Sequence, residues 1–285
     1  MKILFLVITY LIIRFSSNYT DTSTDQLTTY DNTDQVGKLY YDTYNASEGL
    51  IAVYNDDLDK WGYTNIRGEL VIDCIFDYAD NFSDGLARVQ DKTLDKWAFI
   101  NTKGEFVTDY IFDNAYDFSE GLAIVEKDNK SMYINTKGEP IIEGEFDSAM
   151  SFSNGLAVVY NKELNKYGYI NTKGELVIDY QFDSAKDFSE GLAMVYNKEL
   201  DKCGYINTKG ELVIDYQFDA TFYFAEGLST VYNEELDKWG YINTKGELVI
   251  DYIFNNADNF IGGYAIVEKD GEYGYIDKKG KFIPA

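Results

Sequence analysis

The side chains able to do chemistry in this chain are carboxylates, tyrosines and two cysteines, and histidine is absent. Without imidazole there are no Ser-His-Asp or Cys-His nucleophile pairs, no imidazole metal ligands and no histidine general base. The sequence also lacks a glycine-rich phosphate loop, a Cys-x-x-Cys pair and a nucleotide fingerprint. Cys74 and Cys203 stand where sister segments carry Tyr, or Trp and Tyr, so each reads as a small hydrophobe replacing an aromatic ring.

Carboxylates recur, as in Asp179, Asp183, Asp187 and Glu190, and could in principle form calcium sites or the acid pair of a glycosidase. The segment Asn55-Asp56-Asp57-Leu58-Asp59 imitates a calcium loop. It fails because Lys60 stands where the loop needs Gly and Ile66 where it needs the bidentate Glu. Tyr160, Tyr196 and Tyr232 recur in register and form a ladder on which sugar rings could stack while the phenols hydrogen-bond. The simpler reading has such tyrosines filling sheet faces. Polar residues that recur copy after copy argue against catalysis, which needs one asymmetric constellation. No catalytic, cofactor-binding or metal-ligating residue is therefore expected, and no cofactor.

The elements that carry these residues repeat. A glycine opens each copy at Gly49, Gly85, Gly121, Gly155, Gly191, Gly227 and Gly263, a period of 36 residues shortened once to 34. Segments 155–190 and 191–226 differ at eight positions, too few for chance, so the chain is a repeat array. Within a copy, Leu156–Tyr160, Tyr167–Ile170 and Leu176–Ile178 read as strands bounded by turn formers. Asn171-Thr172-Lys173-Gly174 predicts a hairpin turn between the second and third, with Gly taking the positive φ. The first connection, 161–166 here, is read as a loop that is two residues shorter in the third and seventh copies, around Asp128-Asn129 and Asp270-Gly271. A connector with two phenylalanines follows, Phe182 and Phe188 in the fourth copy. These are expected to anchor it to the hairpins at roughly 1.5–3 kcal/mol per buried ring.

The steps Lys60-Trp61-Gly62-Tyr63 and Lys238-Trp239-Gly240-Tyr241, with Trp97 at the matching place, make the chain resemble the bacterial WG repeats from Leu39 to the C-terminus. Trp61, Gly62, Trp97, Trp239, Gly240, Phe182 and Phe188 carry the repeat signature. The Trp place holds Ser131, Tyr167, Cys203 and Tyr273 in four copies, and the Gly place holds Ala98 and Met132 in two. The resemblance implies a noncatalytic module, often on exported proteins. The expected fold is all-β, a tandem array of seven three-stranded antiparallel units of about 36 residues. An open curved solenoid is preferred, with a closed seven-bladed propeller as the alternative.

Residues 1–17 read as a signal peptide, with Lys2 ahead of an apolar run from Ile3 to Ile13, or as an uncleaved N-terminal anchor. Residues 18–36 read as a disordered Ser/Thr/Asp-rich linker and 37–285 as the repeat domain. A secreted or cell-surface/periplasmic location follows, with membrane contact only through an uncleaved N-terminal segment. The formal net charge of −24 repels phosphate backbones and excludes nucleic acid as a partner. The expected function is an exported interaction module for a protein or glycan. A structural spacer without a specific ligand and a carboxylate glycan hydrolase are the alternatives.

Overall fold

The computed structural model describes residues 28–30, 39–41, 46–128, 130–143 and 146–284. The expected signal segment, 1–17, lies outside the described residues. So does most of the expected linker, but Thr28–Tyr30 within it forms a strand paired antiparallel with Leu39–Tyr41. At those three residues the expected disorder gives way to a strand pair. Among the described residues there is no helix, and every sheet is antiparallel. The chain divides into two compact units, with described residues within Tyr19–Ser151 in one and within Phe152–Ala285 in the other.

In the C-terminal unit the repeat is at its most regular. Leu192–Asn197, Lys202–Asn207 and Leu212–Phe218 form a meander, and Ser184–Ala185 adds a two-residue fourth strand beside Leu192–Asn197. The next sheet is built the same way from Ala220–Thr221, Leu228–Asn233, Lys238–Asn243 and Leu248–Phe254. The three expected strands are thus present, and part of the connector, read as loop, is a strand of the following sheet. Two residues carry no periodicity that a sequence could reveal. The first two strands also run further than the sequence implied, so that only Lys198–Asp201 remain between them.

Three local devices fix the meander. Asn171 Oδ1 accepts the backbone N–H groups of Lys173 and Glu175, while Gly174, at φ +80°, donates its N–H to Asn171 O at 2.9 Å. This is the hairpin turn the sequence predicts, and it recurs at Asn65, Asn101, Asn135, Asn207 and Asn243. At the other end of the sheet the Glu-Gly pair forms a two-residue turn in which Glu190 (φ +53°) and Gly191 (φ +79°) both take left-handed conformations. Ser189 and Leu192 exchange backbone hydrogen bonds across it, as a type I′ hairpin requires. The Glu190 carboxylate accepts the N–H of Gly227, the equivalent glycine one period later, at 2.8 Å. Ser189 Oγ likewise donates to Phe224 O at 2.7 Å, so the turns tie successive sheets together.

The core lies between stacked sheets. In the N-terminal unit Tyr63, Ile72, Phe76 and Phe82 of one repeat pack on Ala87, Val89, Ala98 and Ile100 of the next. Phe182 and Phe188 are buried, as their anchoring role demands. Except in the second copy, where Phe99 takes the place, the buried tyrosine of the second strand adds a polar tie to the connector that follows it. Tyr169 donates to Lys186 O and Tyr241 to Asp258 O, both at 2.8 Å.

The glycine of the Trp-Gly step has a steric reason. A Cβ on Gly62, Gly168, Gly204 or Gly240 would stand 2.6–2.7 Å from a backbone carbonyl oxygen of the third strand, which bulges against it. Where Ala98 replaces this glycine, the third strand is reduced to isolated bridges, Trp97 with Phe112 and Ile100 with Phe106, and Thr108 Oγ1 accepts the Phe99 N–H instead. Where Met132 replaces it, the described part of the third strand is Pro140–Glu143.

Candidate functional site

The ladder tyrosines end the first strand of their repeats, half-buried, beside the four-residue loop. Tyr160, Tyr196 and Tyr232 each donate their phenol to the loop's own Asn165, Asp201 or Asp237 at 2.8, 2.6 and 2.7 Å. The bond to the aspartate raises the pKa of Tyr196 and of Tyr232. One ring face is also occupied, since Tyr160 lies 4.8 Å from Tyr167 and Tyr232 lies 5.0 Å from Trp239, centroid to centroid. Tyr196 faces Cys203 across the hairpin in place of a ring.

Several of the other chemistry-bearing side chains are engaged within the fold. Asp183 pairs with Lys166 at 2.6 Å, and its second oxygen accepts the Lys198 N–H at 2.8 Å in the next repeat. Both bonds hold its carboxyl below the usual range. Asp77, Asp113 and Asp219 repeat the arrangement with Lys60, Lys96 and Lys202. Cys74 and Cys203 are buried free thiols whose surroundings disfavour the thiolate; burial pushes Cys74 up to about 11. A nucleophilic cysteine needs the opposite shift. Among the described residues no group of three or more His, Cys, Asp or Glu side chains converges as metal ligands would. Beside the Lys166–Asp183 pair lies an open cleft of about 580 Å³, lined by Phe182, Tyr196, Lys198 and Tyr216 among others.

In the N-terminal unit the Trp positions build something the sequence reading missed. Tyr54 packs on Trp61 (5.4 Å), Trp61 on Tyr78 (5.9 Å) and Tyr78 on Trp97 (5.7 Å), giving four contiguous rings across two sheets. The Arg88 guanidinium lies 5.2 Å from the Trp97 ring centre. Arg88 is itself held by Asp80 at 2.6 Å, by Asp117 at 3.0 Å and by the Ala115 carbonyl. The signal that could have found this cluster is departure from the repeat. Tyr78 stands where the later copies have Asn, Ser or Ala, and Arg88 where the other copies have Ala, Ile, Val, Met or Thr.

A family model described as WG containing repeat matches six successive segments, 61–92, 97–130, 132–164, 167–200, 204–236 and 239–273. The chain belongs to the WG-repeat family. The matched segments begin at or next to the Trp place, so the model divides the WG array about a third of a unit out of phase with its glycine-to-glycine period. No curated protein matches the sequence. Among solved structures, one titled as the eukaryotic initiation factor is 12% identical, covering 95% of this chain and 79% of that one, with a TM-score of 0.54. Apo AztD from Citrobacter koseri is 9% identical, with coverages of 90% and 84% and a TM-score of 0.46. A catalytically inactive virginiamycin B lyase from Staphylococcus aureus, with quinupristin, is 14% identical, with coverages of 90% and 97% and a TM-score of 0.40. At 12% identity, the likeness to the initiation factor structure speaks to the fold of the WG array alone.

Proposed function

We propose that this WG-repeat protein is an exported, noncatalytic module that holds a protein or glycan partner through many weak, repeated contacts. The observation that carries this reading is a set of exposed leucines at equivalent loop tips. Leu58, Leu94, Leu164, Leu200 and Leu236 are each 56–57% exposed. Their backbone N–H groups are pinned to Asn55, Asp91, Asn161, Asn197 and Asn233, so the tips are presented rigidly. Identical contacts repeated along each unit suit avidity better than one deep pocket. The ion-paired aspartates, hydrogen-bonded tyrosines and buried thiols support the noncatalytic part, because each already serves the fold. The signal-like residues 1–17 support export.

Purified protein lacking residues 1–17 should bind cell-wall polysaccharide or an envelope or host surface protein, and lose affinity steeply as the leucines are changed to serine in combination. Failure to bind any of these would refute the reading. The internal hydrogen bonds of Tyr160, Tyr196 and Tyr232 favour a second reading, a structural spacer. Retained function after replacing all three would support it.

A further inference from the structure

The repeat provides its own control, because most positions that build the fold keep one residue type from copy to copy. Arg88 stands alone at its place, Tyr78 shares its ladder place with Tyr40 but departs from the Asn, Ser or Ala of the later copies, and both Tyr78 and Arg88 meet at Trp97. The strip they complete, Tyr54–Trp61–Tyr78–Trp97, holds two of the chain's three tryptophans, and Tyr78 is 37% exposed. Packing alone does not call for an arginine at a place filled elsewhere by aliphatic residues or Thr, since its charge must be matched by Asp80 and Asp117. The outcome is a row of aromatic faces ending in a planar guanidinium and two fixed carboxylates. Asp117, with its side chain 53% exposed, keeps acceptor capacity for a ligand.

Three ligand classes stack on aromatic rings. A nucleic acid would bring phosphates to a chain of net charge −24, and an anionic polysaccharide meets the same repulsion. An uncharged glycan does not. Its C–H faces lie on the rings, and its hydroxyls both donate to carboxylates and accept from guanidinium. Four rings in a row fit a chain better than a single sugar.

We propose that the Tyr54–Trp61–Tyr78–Trp97 strip, with Arg88, Asp80 and Asp117 at its end, is a platform for an uncharged glycan chain. The proposal rests on the noncatalytic binding function above and specifies its ligand.

The test uses the full mature chain, with binding followed by quenching of tryptophan fluorescence and by affinity electrophoresis. The probes are soluble β-1,3-glucan, β-1,4-glucan, mannan and N-acetylglucosamine oligomers, with polygalacturonate and single-stranded DNA alongside. Tyr78→Ser installs the residue that Ser148 and Ser184 already place at this position, and Arg88→Ile installs that of Ile124, so neither should disturb folding. The expected result is binding of at least one neutral polymer, weakened about tenfold or more by Tyr78→Ser at unchanged Tm, as loss of one stacking ring implies. Neutral-glycan binding untouched by both variants would overturn the site while leaving a glycan-binding function intact. Preference for polygalacturonate or DNA would overturn the ligand class. Binding of a purified surface protein with no glycan binding would defeat this proposal alone. Binding of no probe and no surface protein would defeat the broader function as well.

Discussion

Gly240→Ala should loosen the third strand of its sheet and lower stability, although the same change at an unhindered site would raise it by about 0.4–1 kcal/mol through the unfolded chain. A Cβ at this position stands 2.7 Å from Ile250 O and 3.1 Å from Asp251 C, both backbone atoms that no side-chain rotation can move aside. Relief requires Leu248–Phe254 to withdraw from Lys238–Asn243, at a cost of about 1–3 kcal/mol for overpacking. Ile250 and Phe254, now 5% and 0% exposed, would be worth roughly 1.5–3 kcal/mol each if fully released. The Ala98 repeat shows that full release is avoided. Its Phe112 stays 3% exposed, and Val107 still donates to Phe99 O at 2.8 Å. The expected net cost is therefore about 1–3 kcal/mol, or about 2–4 °C in Tm per kcal/mol for a domain of this size. Thermal melts would give the sign, and amide exchange should show lost protection confined to Leu248–Phe254. An equal or higher Tm with those amides still protected would refute the steric reasoning.

Other substitutions probe different links. Cys203→Trp restores the ring present in the first, second and sixth repeats and should stabilise the protein by about 0.5–1.5 kcal/mol through stacking on Tyr196; a lower Tm would mean the site has closed around the thiol. Glu190→Asn keeps the acceptor for the Gly227 N–H, as Asn154 does for Gly191, and puts a residue that better tolerates φ +53° into the turn. Calorimetry should show a gain of a few tenths of a kcal/mol, whereas Glu190→Ala should show a loss. Asp183 titrates below its ordinary value, so its pairing stabilises the fold at and above the usual carboxylate range and is lost as pH falls through the lowered value. With side chains 34% and 21% exposed, the Lys166–Asp183 pair contributes only about 0.5–1 kcal/mol after screening. Asp183→Asn should thus lower Tm near pH 7 and leave it unchanged near about pH 2.

The fold was legible where a device is both local and repeated. Asn171-Thr172-Lys173-Gly174 announces its turn because the side-chain acceptor and the positive-φ residue are adjacent, and Phe182 and Phe188 announce burial because a polar connector has no other use for two rings. The strand Ser184–Ala185 was not legible, since two small residues have no pattern and their partner, Tyr196–Val195, lies in the next repeat. The role of the Trp-Gly glycine was hidden for a similar reason. Its constraint comes from a carbonyl ten residues away, and it shows only once Ala98 is seen beside a weakened third strand. At the candidate site, Trp61 and Trp97 were recognised as signature residues. Their continuity through Tyr78 was not, because it depends on a register between neighbouring sheets.

The two-residue strand means that the segment copied in the sequence and the sheet built in space are out of step. Each sheet borrows its first strand from the stretch before it, so no copy is whole when cut out at its own glycine. Leu39–Tyr41 takes this place for the first sheet, with Tyr40 opposite Tyr54 and Tyr41 opposite Val53, as Ser184 and Ala185 stand opposite Tyr196 and Val195. An array of this kind can lengthen by inserting whole periods in any phase, because every newcomer finds a strand donor upstream. It cannot start without one. A shortened version should therefore begin ahead of a connector's first phenylalanine, for example before Phe182, so that Ser184–Ala185 travels with the sheet it completes.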